Sequence, residues 1–279
     1  MNADIMLLAN KLVYSDRLKC GTETVARQSL VLPDRSYLQG MHNICCSSDG
    51  LCWLEQLMDP HARAVFVDTD RLPALDSRVG DLVQNTLEGA LVHQIVETML
   101  RCGVRETQVG VITMYRQQIK LLSQLLLARP DVEILTADRS QGRDKECIVI
   151  SMVRSNESGH IGDLVRDWRR LNVAFTRARS KLIIVGSRRT LQRTPLLEAF
   201  FALMEERKWV LSLPPRAHLL HELPELGTPG KRAREAATIE DGRVKDVDTP
   251  RTAKKLRMGE DVALLRTRPI LKDMFNDSL

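Results

Sequence analysis

Apolar and polar positions recur along this chain on two periods, and the switches between them mark out its elements. Residues 2–13 put Ile5, Leu8, Ala9 and Leu12 on one side at helical spacing, which predicts a short amphipathic helix at the start of the domain. From residue 14 to 63 the pattern is irregular and broken by Gly21, Pro33, Gly40, Gly50 and Pro60, so loops are expected there, with a strand at Ser29 to Leu32. Ala64 to Val67 reads as a strand leading into a loop over Asp68 to Asp81. Asn85 followed by Glu88 has the spacing of a capping box, for a helix that runs to Arg101 and stops at Cys102-Gly103. A strand at Val109 to Met114, a helix from Arg116 to Ala128 closed by Pro130, and a strand at Val132 to Thr136 come next. Cys147 to Met152 and Lys181 to Gly186 are two more apolar runs, with a helix predicted over Trp168 to Arg179 between them. Pro195 to Lys208 predicts a further amphipathic helix, and Trp209 to Leu213 an edge strand before Pro214-Pro215. Apolar runs without alternation, separated by helices, belong to strands buried on both faces, so the fold class is α/β with a parallel sheet and flanking helices.

After about Glu222 this patterning stops. The last stretch holds one aromatic residue, Phe275, and mixes charges of both signs around Gly227, Pro229, Gly230 and Pro250, which cannot bury enough surface to offset its ordering entropy. The expected organisation is a folded domain over 1–222 and a disordered, mixed-charge basic tail over 223–279. Lys231-Arg232-Ala233-Arg234 and Lys254-Lys255-Leu256-Arg257 have the composition of nuclear-import clusters, or else are plain solvated charge. Thr228-Pro229 and Thr249-Pro250 are candidate sites of proline-directed phosphorylation beside them.

Composition narrows the class. With 43% hydrophobic residues the chain can bury one good core. No apolar run approaches the roughly eighteen residues of a membrane span, and the N-terminus lacks a signal-peptide pattern, so an intracellular protein without a membrane partner is expected. Cys20, Cys45, Cys46, Cys52, Cys102 and Cys147 are irregularly spaced and read as buried or idle thiols rather than a disulfide framework or a zinc site. The net charge of +5 is uneven: residues 138–193 hold thirteen Lys and Arg against six Asp and Glu, or +7. That concentration points to a polyanion partner rather than a uniformly solvated surface.

The densest chemistry sits in the same segment. Ala137-Asp138-Arg139-Ser140-Gln141-Gly142-Arg143-Asp144-Lys145-Glu146 and Arg169-Arg170-Leu171-Asn172-Val173-Ala174-Phe175-Thr176-Arg177-Ala178-Arg179 each lie beside a predicted strand, at strand ends where parallel sheets take phosphates. The pair resembles the last two nucleotide-site motifs of superfamily-one helicases. With Met1-Asn2-Ala3-Asp4-Ile5-Met6, Tyr115-Arg116-Gln117-Gln118, Val153-Arg154-Ser155-Asn156 and Asp167-Trp168-Arg169-Arg170, residues 1–220 are similar to the C-terminal part of the eukaryotic DNA replication ATP-dependent helicase/nuclease family.

That resemblance implies a RecA-like second motor domain. Arg177 matches the family's arginine finger, which approaches the γ-phosphate of ATP when two domains close. Gln141, Gly142, Arg143 and Asp144 match an element at the nucleotide cleft, and Arg116 and Gln117 another beside it. Thr136, Arg139 and Ser140 would lie near the phosphates of single-stranded DNA; the family usually has Tyr or Phe where Ser140 stands, and Ile or Leu where Phe175 stands. A structural ion pair is the alternative role for Arg177, and a turn cap that for Asp138.

No G-x-x-x-x-G-K-[ST] occurs, and no Asp-Glu pair follows a strand, so ATP and Mg²⁺ are expected to be held mainly by a first motor domain that this sequence does not contain. The sequence begins where the family's Gln-Tyr-Arg-Met element would be ending. Pro130-Asp131 lacks the later Glu-x-Lys of the family's nuclease and reads as a helix stop. The iron–sulfur cluster of the complete family protein belongs to that nuclease part. The expected function is therefore the motor half of an ATP-dependent DNA helicase/nuclease in replication and repair, inactive alone. Its expected partners are single-stranded DNA, 5′ flaps, the missing helicase and nuclease domains, and replication or repair proteins met through the tail. It is expected in the nucleus, with the mitochondrion as a second compartment. Two other readings stand beside it, a fragment of a related RNA helicase and a non-catalytic DNA- or partner-binding module.

Overall fold

Strands that are apolar at nearly every position are stable only between two layers of other elements, and the chain builds that arrangement. The structure, a computed structural model, describes residues 1–45 and 52–221, except the side chains of 41–45. Its strands are β1 (Ala64–Asp68), β2 (Ser77–Val79), β3 (Leu82–Gln84), β4 (Val109–Thr113), β5 (Glu133–Thr136), β6 (Lys145–Ser151), β7 (Ala178–Gly186) and β8 (Val210–Ser212). Six of them form one sheet in the order β5-β4-β6-β7-β1-β8 with every pair parallel, while β2 and β3 make a separate antiparallel hairpin. The helices are α1 (Ala3–Ala9), α2 (Glu23–Arg27), α3 (Ser36–Cys45), α4 (Trp53–Leu57), α5 (Thr86–Arg101), α6 (Arg116–Leu125), α7 (Asp163–Arg166), α8 (Trp168–Phe175), α9 (Arg188–Leu191) and α10 (Pro195–Glu206).

Alternation along each strand sends side chains to two cores. One face buries Phe66, Ile112, Ile148, Ile150, Leu182 and Ile184 in a cluster with residues of α1, α8 and α10. Phe66 meets Phe201 edge-on at 4.8 Å, and Phe175 stacks on Phe200 at 5.4 Å, so the phenylalanine at position 175 has an aromatic partner rather than an aliphatic one. The other face carries Val65, Val111, Val149 and Ile183 beneath α5 and α6, whose Leu91, Ile95 and Leu122 are fully buried. This three-layer order is the parallel α/β sheet expected of a RecA-like domain.

Differences from the sequence expectation have local causes. The opening helix becomes one π-wound turn over Asn10–Tyr14. Ser29 to Leu32 forms no strand; Leu30 is buried but Val31 is exposed, and Gln28 anchors the segment through its side chain to Glu146 and Ser180. Short helices α2, α3 and α4 fill the stretch read as loops, and the β2–β3 hairpin fills the loop after β1. The capping box forms only in half: Asn85 accepts from the Glu88 N–H, but the Glu88 carboxylate turns instead to Ser151 and Val153. Helix α8 ends at Phe175, four residues early, because the Thr176 hydroxyl donates back to the Asn172 and Val173 carbonyls and Ala178 already pairs with Lys145 in the sheet. Arg177 therefore sits in the connecting turn and Arg179 in β7. Cys46 and the whole of the expected tail, with its basic clusters and Thr-Pro sites, lie outside the described residues. Among the described residues no helix is long and apolar enough to cross a membrane.

Candidate functional site

A sheet whose strands all run one way has two chemically different edges. Helices that follow a strand begin at its carboxyl edge with unpaired N–H groups, and helices that precede one end at its amino edge with unpaired carbonyls. The residues singled out from the sequence divide between these edges. They are separated by the length of β6, whose seven residues span about 20 Å.

At the amino edge, Arg177 follows the last turn of α8 and uses that helix's carbonyl end. Its Nε donates to the Val173 carbonyl at 3.0 Å, Nη2 to the Thr176 hydroxyl at 3.1 Å, and Nη1 to Asp144 Oδ1 at 2.8 Å. The side chain is only 18% exposed, so the guanidinium is fixed in one orientation with one edge bound to the helix and the other to a carboxylate. Asp144 reaches it because Lys145 N donates to the Arg177 carbonyl, tying the start of β6 to the turn before β7. Just upstream, Arg143 N donates to the Ser140 carbonyl across Gln141 (φ −58°, ψ 124°) and Gly142 (φ 78°), a type II turn whose third position needs glycine. That turn leaves Gln141 and Gly142 exposed, and Arg143 at 3.5 Å from Glu133. Thus Arg177, Asp144 and the Gln141–Arg143 turn do come together. They do so at the amino ends of β6 and β7, not at the carboxyl ends where parallel sheets usually take phosphates. The same edge buries Lys181, whose Nζ donates to the Asp59 carbonyl at 3.0 Å and to the Ala62 carbonyl; burial pulls its pKa down to about 8.

At the carboxyl edge, Thr136, Thr113 and Ser151 end β5, β4 and β6 in one register row. Arg116, exposed, and Gln117, bonded to Gln84 of β3 at 3.3 Å, open α6 beside this row. The structure therefore does not bring Arg116 and Gln117 to the Arg177 cluster: they follow β4 where it ends, and Arg177 precedes β7 where it begins. Thr136 Oγ1 accepts from Arg139 N at 3.3 Å, and Arg139 is exposed. Ser140 is fully buried and donates its hydroxyl to the Ala137 carbonyl, so it shapes the turn and presents nothing to a ligand. Asp138 is not a cap; it pairs with Arg170 of α8 at 3.0 Å.

Behind this row lies a buried polar network that sequence reasoning missed. Gln118 accepts from Asn85 N and donates to the Asn85 carbonyl and to Ser151 Oγ. Glu88, in the first turn of α5, accepts from Ser151 Oγ at 2.7 Å and Val153 N at 2.9 Å. Its Oε2 has no hydrogen-bond partner, and complete burial pushes its pKa up to about 7. Asn85 also donates to the Val153 carbonyl, so Val153, a β-branched residue at φ 69°, is held on both backbone sides in a conformation it would otherwise avoid. Only the Asn85 to Glu88 spacing signalled any of this, and it was legible as a helix start rather than as an anchor. No group of three His, Cys, Asp or Glu side chains that could hold a metal ion occurs among the described residues.

Comparisons with known proteins place the chain in a family. Residues 1–189 match the AAA domain family. The chain is 36% identical over 244 residues, 88% of its length and 17% of the relative's, to "DNA replication ATP-dependent helicase/nuclease dna2" of Schizosaccharomyces pombe. It is 41% identical over 228 residues to the protein of the same description from Saccharomyces cerevisiae, covering 81% of this chain and 15% of that one. The Homo sapiens protein is 36% identical over 219 residues, 78% of this chain and 21% of its own. The chain thus spans about a fifth or less of the length of each of these relatives.

Proposed function

We propose that this chain, which belongs to the AAA domain family and is a superfamily-one helicase domain of the DNA replication helicase/nuclease type, acts as the second of two motor domains. Its substrates are then ATP, bound with Mg²⁺ chiefly on a first motor domain, and single-stranded DNA, including 5′ flaps, in nuclear replication and repair. The observation that carries the reading is the placement of Arg177. Its guanidinium is pre-oriented by α8 and balanced by one partly exposed carboxylate, Asp144, at the rim of the sheet. A fixed cation of this kind can exchange Asp144 for the γ-phosphate when the first domain closes, and its withdrawal costs roughly 10³–10⁵ in hydrolysis rate. Gln141 and Arg143, exposed on the neighbouring turn, supply further donors to the same phosphates. Gly142 lets the backbone approach them.

The polar residues at the opposite edge suit the DNA strand. Thr136, Arg139, Arg116 and Gln117 contact phosphates and sugars without reading sequence, which a motor moving along a strand requires. Closure at one edge and grip at the other, joined by the length of β6, couple hydrolysis to movement. The domain alone, without a phosphate cradle, hydrolyses nothing and cuts nothing.

The test is ATP turnover of the complete helicase carrying Arg177→Ala, with nucleotide affinity measured alongside. A fall in turnover of at least about a thousandfold with ATP binding kept within a few-fold supports the reading. Unchanged turnover, or equal loss in Arg177→Ala and Asp144→Asn with a common drop in melting temperature, makes the pair structural and removes the catalytic role.

A further inference from the structure

Beyond the end of β6 the chain makes a sharp three-residue turn, Arg154 N donating to the Met152 carbonyl at 2.7 Å around the strained Val153. Strain at a β-branched residue persists only where the surroundings over-determine it, and here Glu88 and Asn85 do so from beneath. The consequence is the position of Arg154. Its guanidinium is 6% exposed, donates from Nε and Nη2 to the His160 carbonyl, and lies 3.4 Å from Asp76. It forms the floor of an open pocket of about 610 Å³, whose walls include Arg78 on β2, Asn156, His160 and Arg166 of α7.

The charges in this pocket do not balance. Asp76 is its one lining carboxylate, and it is occupied by Ser155 N and Asn156 Nδ2 at 2.9 Å as well as by Arg154. Arg78 and Arg166 are exposed and pair with no carboxylate among the described residues. Three arginines against one carboxylate give a net charge of +2 in an open concavity, before His160 is counted. The hairpin that carries Arg78 pairs it with Val83, so Arg78 is the residue that β2 contributes to the pocket, while Val79 and Leu82 share the opposite face. Cations at the bottom and sides of a polar concavity match a backbone phosphate of a polynucleotide.

We propose that this pocket is an anion site that takes one backbone phosphate of single-stranded DNA. It rests on the strand-binding reading and extends it. The pocket lies past the carboxyl end of β6, next in line after Thr136 on β5 and Arg116 after β4. Neighbouring strands are about 4.8 Å apart, so the row from β5 to β6 covers roughly 10 Å, one to two nucleotide steps of a continuing strand.

The test uses the full chain and a fluorescently labelled oligothymidylate, with binding followed by anisotropy from low to moderate salt. Arg78→Glu and Arg166→Glu, both surface changes, are compared with the wild type, and with Arg139→Glu as a reference for the neighbouring contact. Each pocket variant is expected to bind about three- to tenfold more weakly and to flatten the slope of log K against log salt by about 0.7, the single-strand value for one lost phosphate contact. Unaltered melting temperature shows that the fold is intact. If Arg139→Glu weakens binding and both pocket variants match the wild type in affinity and slope, the pocket proposal is overturned while the strand-binding reading stands. A wild-type chain that binds no strand at any salt overturns both.

Discussion

The amino and carboxyl edges of one sheet place their ionisable groups in opposite ways. At the amino edge the buried charge is a cation, Lys181, set against backbone carbonyls, and the partly buried Arg177 is another cation, held by the carbonyl end of α8. At the carboxyl edge the buried ionisable group is an acid, Glu88, set in the first turn of α5 against a backbone N–H, and the pocket arginines stand in front of it. The polarity of parallel strands and their helices dictates this: carbonyls gather at one end and N–H groups at the other. The lesson is that the two edges stabilise different things. At the amino edge one guanidinium is fixed and its counter-ion can be exchanged. At the carboxyl edge a backbone turn is fixed and the arginines around it are left to meet a ligand.

The largest effect expected to test this contrast is on rate. Arg177→Ala in the complete helicase should lower ATP turnover by about 10³–10⁵ while strand affinity changes little, and a comparable loss of strand affinity would erase the division between edges. Stability should show the reverse asymmetry. Glu88→Ala leaves Ser151 Oγ and Val153 N without their acceptor and should cost about 2–4 kcal/mol in urea unfolding, with protection of the 152–156 amides lost in hydrogen exchange. Asp144→Ala, which breaks a partly exposed pair, should cost under about 1 kcal/mol.

A pH series sharpens the same point. The folded-state pKa of Glu88 is raised from 4.5 to about 7, so the folded chain holds more protons between those values and stability from this group falls as pH rises through the window. Lys181 is lowered from 10.5 to about 8, so the folded chain holds fewer protons there and stability rises from pH 8 toward 10.5. Each slope has a ceiling of about 1.4 kcal/mol per pH unit, and Glu88→Gln and Lys181→Met should each abolish only their own limb. A single variant that removed both limbs would mean that the edges are coupled.

Most of the sheet was legible because buried parallel strands leave uninterrupted apolar runs: Val109, Cys147 and Lys181 all mark strands within two or three residues of where they begin. The hairpin was not, since three-residue strands carry no period, and neither were α2 and α4, five residues each and too short to show one, nor α3, whose run is interrupted by Gly40. Motif order and composition identified Arg177, Asp144 and the Gly142 turn, and the structure assembles them. The division of the remaining residues was hidden. Arg116 and Ser140 sit in motif words as prominent as any other, yet only the direction of β4 and the burial of a hydroxyl show that one lies at the far edge and the other faces inward. Networks such as Glu88, Gln118 and Ser151 join residues more than thirty positions apart, and a single sequence gives no means of pairing them.

The strand order has a consequence for how the domain comes into being. β1 emerges from the ribosome early, but its two neighbours, β7 and β8, are synthesised last, so Phe66 cannot meet Ile184 or Val210 until nearly the whole domain is available. During that interval an apolar segment with two open sides is exposed to other nascent chains, and closing the intervening loop is slow. The β2–β3 hairpin and the β5-β4-β6 half of the sheet, whose partners all precede β7 in the chain, can form ahead of the rest. A polypeptide released before Ala178 keeps those parts and leaves β1 unpaired, which makes incomplete translation products of this domain candidates for chaperone capture and aggregation rather than partial motors.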